Sequence, residues 1–145
     1  MLSPDSGLDL SDESWPIYAR SVDAPPIYMG GDSHVSHSAI NRGCDIEGTV
    51  ENSVLSPRVT IEKGARVSYS VILPGVTVEA GSVIEYAIIG EGCHIGRECR
   101  VGGTPDSAPG GKWNLTVLAP DCALEDGREI APGVMLDRYG KEVLK

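Results

Sequence analysis

A chain of 145 residues with 41% hydrophobic residues, no Phe and a formal charge of -9 at pH 7 is of one-domain size and must build an aliphatic core. Its acidic balance argues against a nucleic-acid binder, which needs clustered Lys and Arg to release counterions. No stretch approaches the ~20 apolar residues of a membrane-spanning helix, and the start lacks the charged-then-apolar profile of a secretory signal.

In chain order, residues 1–34 lack any repeat. The segment DAPPIYMGGD (23–32) carries Pro-Pro and Gly-Gly, which predicts an extended interdomain connector. A chain that opens on such a linker is expected to be cut from something longer.

Residues 35–102 carry the repeat. They divide into units at 36–50, 51–67, 68–84 and 85–101, of 15, 17, 17 and 17 residues. A large aliphatic recurs at steps of 6, 6 and 5: Leu55, Ile61, Val67, then Ile72, Val78, Ile84, then Ile89, Ile95, Val101. Two residues before each lies a smaller side chain, in columns headed by Ser38, Cys44 and Ala65. Residues two apart in a strand share a face, so each short strand points one large and one small residue inward. Gly43, Gly64, Gly75, Gly81 and Gly92 fall three before an aliphatic, where a corner needs a backbone only Gly adopts freely. Three strands and three corners per unit make a triangular prism, with units stacked at about 4.8 Å. The predicted fold is all-β: a hexapeptide-type parallel β-helix of about five coils. The cysteines, with no CxxC or zinc-type spacing, are then buried small residues in a reduced cytoplasm. Cys44 and Cys93 share a column three coils apart, on the order of 14 Å and too far for a disulfide.

The rhythm breaks at 103–112, GTPDSAPGGK, which predicts a loop. It resumes over 113–145 with Leu118, Leu124, Ile130 and Leu136, a final coil and C-terminal cap. Arg128 falls in the small inward column and is that coil's weakest point. Tyr139 and Val143 are expected to fold over the end, because a repeat stack needs a cap.

The outward columns differ. Two are mostly polar, whereas the third is Ala39, Val54, Val71, Ile88 and Val117, an apolar stripe that predicts an interface. Its occupant is either another domain or subunit, or the connector through Trp15, Ile17, Tyr18, Ile27 and Tyr28. A second column, Glu47, Glu62 and Glu79, stacks like charges that repel, with Lys63 beside it to soften the effect.

There is no phosphate loop of Walker or dinucleotide type and no G-x-S-x-G. The segments WPIYAR, APPIY and GTVENSVL, with GKWNLTV and IAPGVMLD further on, resemble the C-terminal region of bacterial glucose-1-phosphate adenylyltransferase, also called ADP-glucose pyrophosphorylase. The resemblance implies a left-handed β-helix. It implies a cytoplasmic parent that joins glucose 1-phosphate to ATP with Mg²⁺, through an N-terminal catalytic domain whose motifs do not occur here. No catalytic residue, metal ligand or cofactor is therefore expected in this segment. The resemblance further implies homotetramer packing against the catalytic domain and neighbouring subunits, and allosteric pockets for phosphorylated sugars and inorganic phosphate. Arg42 and Arg58 are the candidate phosphate contacts, since such sites favour charge-assisted hydrogen bonds. Arg58 replaces the corner Gly of its column.

Two other classes fit the fold. One is a trimeric hexapeptide acyltransferase with His37 or His94 at a cleft between subunits. The other is a scaffold resembling a gamma-carbonic anhydrase, for which His34, His37 and His94 lack a convincing zinc spacing.

Overall fold

The computed structural model describes Ser14 and residues 23–104 and 114–143. Trp15, Ile17 and Tyr18, considered above as cover for the apolar stripe, and most of the 103–112 loop lie outside the described residues.

The described chain winds as a parallel β-helix of about six turns with no helix. Its strands, two or three residues each, stack into three six-stranded parallel sheets that form the faces of a prism. The first face stacks Tyr28–Met29, Asp45–Ile46, Thr60–Ile61, Thr77–Val78, His94–Ile95 and Ala123–Leu124. The second runs from His34–Ser36 through Thr49–Glu51, Arg66–Ser68, Val83–Glu85 and Arg100–Gly102 to Glu129–Ile130. The third runs from Ala39–Ile40 through Val54–Leu55, Val71–Ile72, Ala87–Ile89 and Thr116–Leu118 to Met135–Leu136. Strands this short follow from the sequence: each can turn only one large and one small residue inward before the next corner.

The aliphatic series of the repeat fills the axis. Ile46, Leu55, Ile61, Ile72, Ile84, Ile89 and Ile95 are fully buried, and Val59, Val76, Ala65, Cys93 and Cys99 fill the small columns between them. Equivalent residues stack in register, as in Ile46 to Ile61 and Leu55 to Ile72. The four cysteines are buried and free.

Three differences from the sequence expectations have physical causes. Pairing begins at Tyr28, inside the predicted connector: Tyr28 N–H donates to the Cys44 carbonyl at 2.9 Å and Gly30 N–H to that of Ile46 at 2.8 Å. Both Tyr28 and Met29 are exposed, so this strand is held by backbone bonds and leaves no inward pattern to read. The break in the rhythm falls within the fifth turn: Arg100–Gly102 lies on the second face and Thr116–Leu118 takes up the third against Ala87–Ile89, whereas one turn above Tyr86 alone joins the two faces. Arg128 is exposed: among the described residues no strand pairs below Glu129–Ile130, and its Nη2 donates to the Gly140 carbonyl at 3.3 Å.

At the lower end the third face is closed by backbone, and Tyr139 and Val143 do not fold over the stack as expected. Tyr139 is 77% exposed and Val143 50%. The Asp137 carboxylate accepts the N–H groups of Tyr139 and Lys141 at 2.8 and 2.9 Å, turning the chain back. Val143 N–H then donates to the Met135 carbonyl at 2.8 Å, and Leu136 bridges Glu142 in antiparallel fashion. The edge strand of the third face is thus paired, which removes one template for aggregation.

The corner between the second and third faces carries an internal hydroxyl ladder. The Ser38, Ser53 and Ser70 hydroxyls accept the backbone N–H of Ser53, Ser70 and Ala87 at 3.1, 3.2 and 3.1 Å. Each also donates to the carbonyl two residues back, at 2.8 Å. A buried N–H without a partner would cost about 1–3 kcal/mol. The small column is therefore serine here for hydrogen bonding as well as size.

Candidate functional site

Two corners flank the third face, and both force the backbone into the left-handed region. At the entering corner stand His37, Asn52, Tyr69 and Tyr86, with φ between 45 and 50°. The Tyr69 and Tyr86 rings stack at 4.8 Å and 4°. At the leaving corner stand Gly43, Arg58, Gly75, Gly92 and Asp121, with φ of 76, 62, 72, 70 and 59°. Here two consecutive glycines lie between two charged residues, and the surface opens into a groove of about 490 Å³. Its lining is Arg58, Pro74, Gly75, Glu91, Gly92, Pro120 and Asp121. The floor is bare backbone: a Cβ on Gly75 would meet nothing within 4 Å, and one on Gly92 would press on Asp121 Oδ1 at 2.7 Å.

The charged ends are held in place. Arg58 Nη2 donates to the Asp23 carbonyl at 2.6 Å. Asp121 Oδ2 accepts from Arg138 Nη2 at 3.2 Å. Arg42, the other sequence candidate, is exposed one turn above the groove, where its carbonyl accepts the Arg58 N–H at 3.1 Å. The two arginines thus share a corner, but only Arg58 lines the groove. Next to the groove floor lies Cys93, whose Sγ donates to the Ala119 carbonyl at 3.1 Å. Burial pushes this thiol up to about 11, and burial raises Cys44 and Cys122 as well. Thiols held protonated in this way are not poised as nucleophiles.

The first face holds the one histidine found in close carboxylate contact among the described residues. His94 Nε2 lies 2.8 Å from Glu79 Oε1, and Arg97 Nε lies 3.7 Å from Glu79 Oε2. This contact explains how the glutamate column is tolerated. Glu79 is engaged by the turn below, and Glu62 Oε2 accepts the Ala80 N–H at 3.0 Å. Lys63 pairs with Asp32 at 3.5 Å and lines one cleft with Glu47 of that column. His37 sits at the entering corner and His34 lies 3.9 Å from Glu51, so the three histidines do not converge. Among the described residues no group of three or more His, Cys, Asp or Glu side chains could hold a metal ion.

The predicted apolar column is continuous in register: Ala39, Val54, Val71, Ile88 and Val117 pair successively, and Met135 extends it. Val71 is 37% and Met135 41% exposed, and the exposed Tyr69 borders the stripe.

The fold and its six-residue corner rhythm define the class. Residues 28–116, more than half of the chain, match the family described as GlmU-like, C-terminal hexapeptide. The chain belongs to this family of left-handed hexapeptide β-helices. Glucose-1-phosphate adenylyltransferase from Geobacillus stearothermophilus is 48% identical over 67 residues, a match that covers 46% of this chain and 17% of that protein. Among solved structures, a mutant GDP-perosamine N-acetyl transferase from Caulobacter crescentus, in complex with CoA and GDP-perosamine, aligns with a TM-score of 0.60 at 14% identity, over 84% of this chain and 58% of that one. PerB from the same organism aligns with a TM-score of 0.50 at 14% identity, over 83% and 58%. At such identity these two structures bear on the fold alone.

Proposed function

We propose that this chain is the C-terminal assembly and regulatory β-helix of a glucose-1-phosphate adenylyltransferase, which makes ADP-glucose and diphosphate from ATP and glucose 1-phosphate in glycogen synthesis. The observation that carries the reading is the 48% identity over 67 residues to such an enzyme. In this reading the Mg²⁺ and ATP of the parent cytoplasmic enzyme belong to its catalytic domain, and no step is routed through the residues described here. The stripe of Ala39, Val54, Val71, Ile88 and Val117 docks the catalytic domain or a neighbouring subunit of the homotetramer. An uncharged face is the one on which acidic chains can meet without like-charge repulsion. Arg42 and Arg58 receive the phosphate of an effector at the shared corner.

The test replaces the corresponding C-terminal segment of the Geobacillus stearothermophilus enzyme with this chain. Retained ADP-glucose synthesis with tetrameric mass is the expected result. An inactive or monomeric but folded chimaera overturns the proposal.

A second reading, a sugar N-acyltransferase, draws on the His94–Glu79 contact at 2.8 Å, since a carboxylate-oriented imidazole can act as a general base. Transfer from acetyl-CoA to an amino sugar by this chain, abolished by His94→Ala, would replace the first reading with the second.

A further inference from the structure

The uppermost turn is fastened differently from those beneath it. Pro25, Tyr28 and Met29 stand one turn above Arg42, Asp45 and Ile46, and the backbone ladder between them is continuous. Gly43 N–H donates to the Pro25 carbonyl at 2.8 Å, as Arg58 N–H does to that of Arg42 at 3.1 Å. The side chains tell the two turns apart. Ile27 and Met29 are 41% and 49% exposed, whereas Cys44 and Ile46, in the same columns below, are buried. The apolar burial that holds the strands of the lower turns is therefore missing here. A side chain from two corners below takes its place. Arg58 rises across Gly43: a Cβ on that glycine would meet Arg58 Cγ at 3.1 Å and Ala24 Cβ at 3.0 Å. Its Nη2 then donates to the Asp23 carbonyl at 2.6 Å. Gly43 is bare where the Arg58 stem has to pass, and Arg58 itself holds a left-handed φ of 62° that glycine meets without steric cost. The strained residue is thus the one whose side chain reaches the entering chain.

We propose that Arg58 is the latch of a detachable entry strand. Latched, residues 23–30 lie on the prism, and the chain before them starts from a fixed point at its corner. Unlatched, Tyr28–Met29 peels away from Asp45–Ile46. What would still hold it is the Tyr28, Gly30 and Gly43 backbone hydrogen bonds, at an edge with little apolar burial, and such segments open first. Residues 23–30 then become tether, able to span on the order of 26 Å at the ~3.3 Å per residue of an extended chain. The turns below stay folded, because Asp45–Ile46 keeps its pairing with Thr60–Ile61 and Ile46 its place in the core. The latch has two positions and nothing between, since a two-residue strand either holds its register or loses it. It sets how tightly the prism is coupled to whatever chain precedes residue 23, and it operates with or without an effector.

The test follows amide hydrogen exchange in the 145-residue chain by NMR. The Tyr28, Gly30 and Gly43 amides report the entry strand, and the Thr77 and Glu79 amides, bonded to the Cys93 and Ile95 carbonyls, report the prism below. Arg58→Asn removes the guanidinium and keeps a residue that tolerates the left-handed backbone. It is expected to speed exchange at the three entry amides at least tenfold while Thr77 and Glu79 stay within about twofold of wild type. Arg58→Lys still offers an ammonium donor to the Asp23 carbonyl and should keep most of the protection, which a merely structural corner residue would not explain. Entry amides that exchange no faster in Arg58→Asn overturn the latch. Faster exchange in the entry strand and the lower turns alike overturns it too, because Arg58 would then hold the whole prism. Equal exchange in the Asn and Lys variants denies the hydrogen bond to Asp23 its part. Entry amides already unprotected in the wild-type chain leave nothing to be latched and sink the proposal outright.

Discussion

The corners on either side of the third face share a backbone and differ in what they present. Both put left-handed residues at every turn they order. The entering corner fills that position with Asn52, Tyr69 and Tyr86 and is closed behind by the serine ladder. The leaving corner answers the same demand with glycine at three of five positions and is left open as a groove. A conformational requirement therefore does not dictate a surface. The side chain that tolerates it decides between wall and cavity.

The largest effect that would sharpen this contrast is at Gly102, with φ 76°, the last residue of the second face in the fifth turn. A Cβ there would collide with the Glu85 carbonyl of the turn above. Gly102→Ala is expected to cost about 3 kcal/mol from left-handed strain plus overpacking, seen as a lower urea midpoint; a loss under about 1 kcal/mol would break the account of that position.

The next effect is a pH dependence beside the open corner. The folded Cys93 thiol titrates near 11 against an ordinary 9.0, so above pH 9 the unfolded chain loses its proton first. Stability should hold below pH 9 and fall between 9 and about 11, by about 2–3 kcal/mol for this group. Cys93→Val, which copies Val59 and Val76 of its column, should reduce that slope in urea melts taken across the range, leaving the smaller part due to the buried Cys44 and Cys122. An unchanged slope would place its origin elsewhere.

At the closed corner, Ser70→Ala removes the acceptor of the Ala87 N–H and should cost about 2 kcal/mol. A midpoint shift equivalent to less than ~0.5 kcal/mol would deny the ladder its part.

Smallest is the direct comparison of Arg58→Gly with Tyr69→Gly. Each relieves a left-handed side chain, worth about 1 kcal/mol. Only Tyr69 also loses a stacked ring, worth about as much. Arg58→Gly should therefore raise the thermal midpoint and Tyr69→Gly leave it nearly still. Equal shifts would mean that the stack contributes nothing.

The prism was legible because its rule is steric and local. A strand with room for one large and one small inward residue writes Ile61, Val67 and Ile72 with Val59, Ala65 and Ser70 before them, and all are buried. The two-residue shortening of the first unit also has its place: Glu47 and Gly48 alone join Ile46 to Thr49, where a Cβ on Gly48 would strike the Ala65 carbonyl. Features held by backbone alone left no such trace. Tyr28–Met29 pairs without burying a side chain, and the 141–143 segment closes the stack through Met135 and Leu136 in the same way. The left-handed Tyr69 and Tyr86 were equally silent, because the sequence signal for that backbone is glycine. The candidate site was legible in part. Arg58 stood out as a charged residue in a glycine column, whereas Glu91, Asp121 and the His94–Glu79 contact join residues of different turns and need the stacking register to be seen.

The serine ladder also sets the grain of the molecule. Each hydroxyl accepts a backbone N–H from the turn below and donates its own O–H to the carbonyl two residues behind it. A coil can thus be inserted whole between Ser53 and Ser70 and find both its donor and its acceptor waiting. Half a coil would leave the ladder broken. Growth of such a chain is quantised: it lengthens by duplicating complete turns, and irregular sequence is admitted only where the register is kept on either side, as it is at Gly102 and at Thr116.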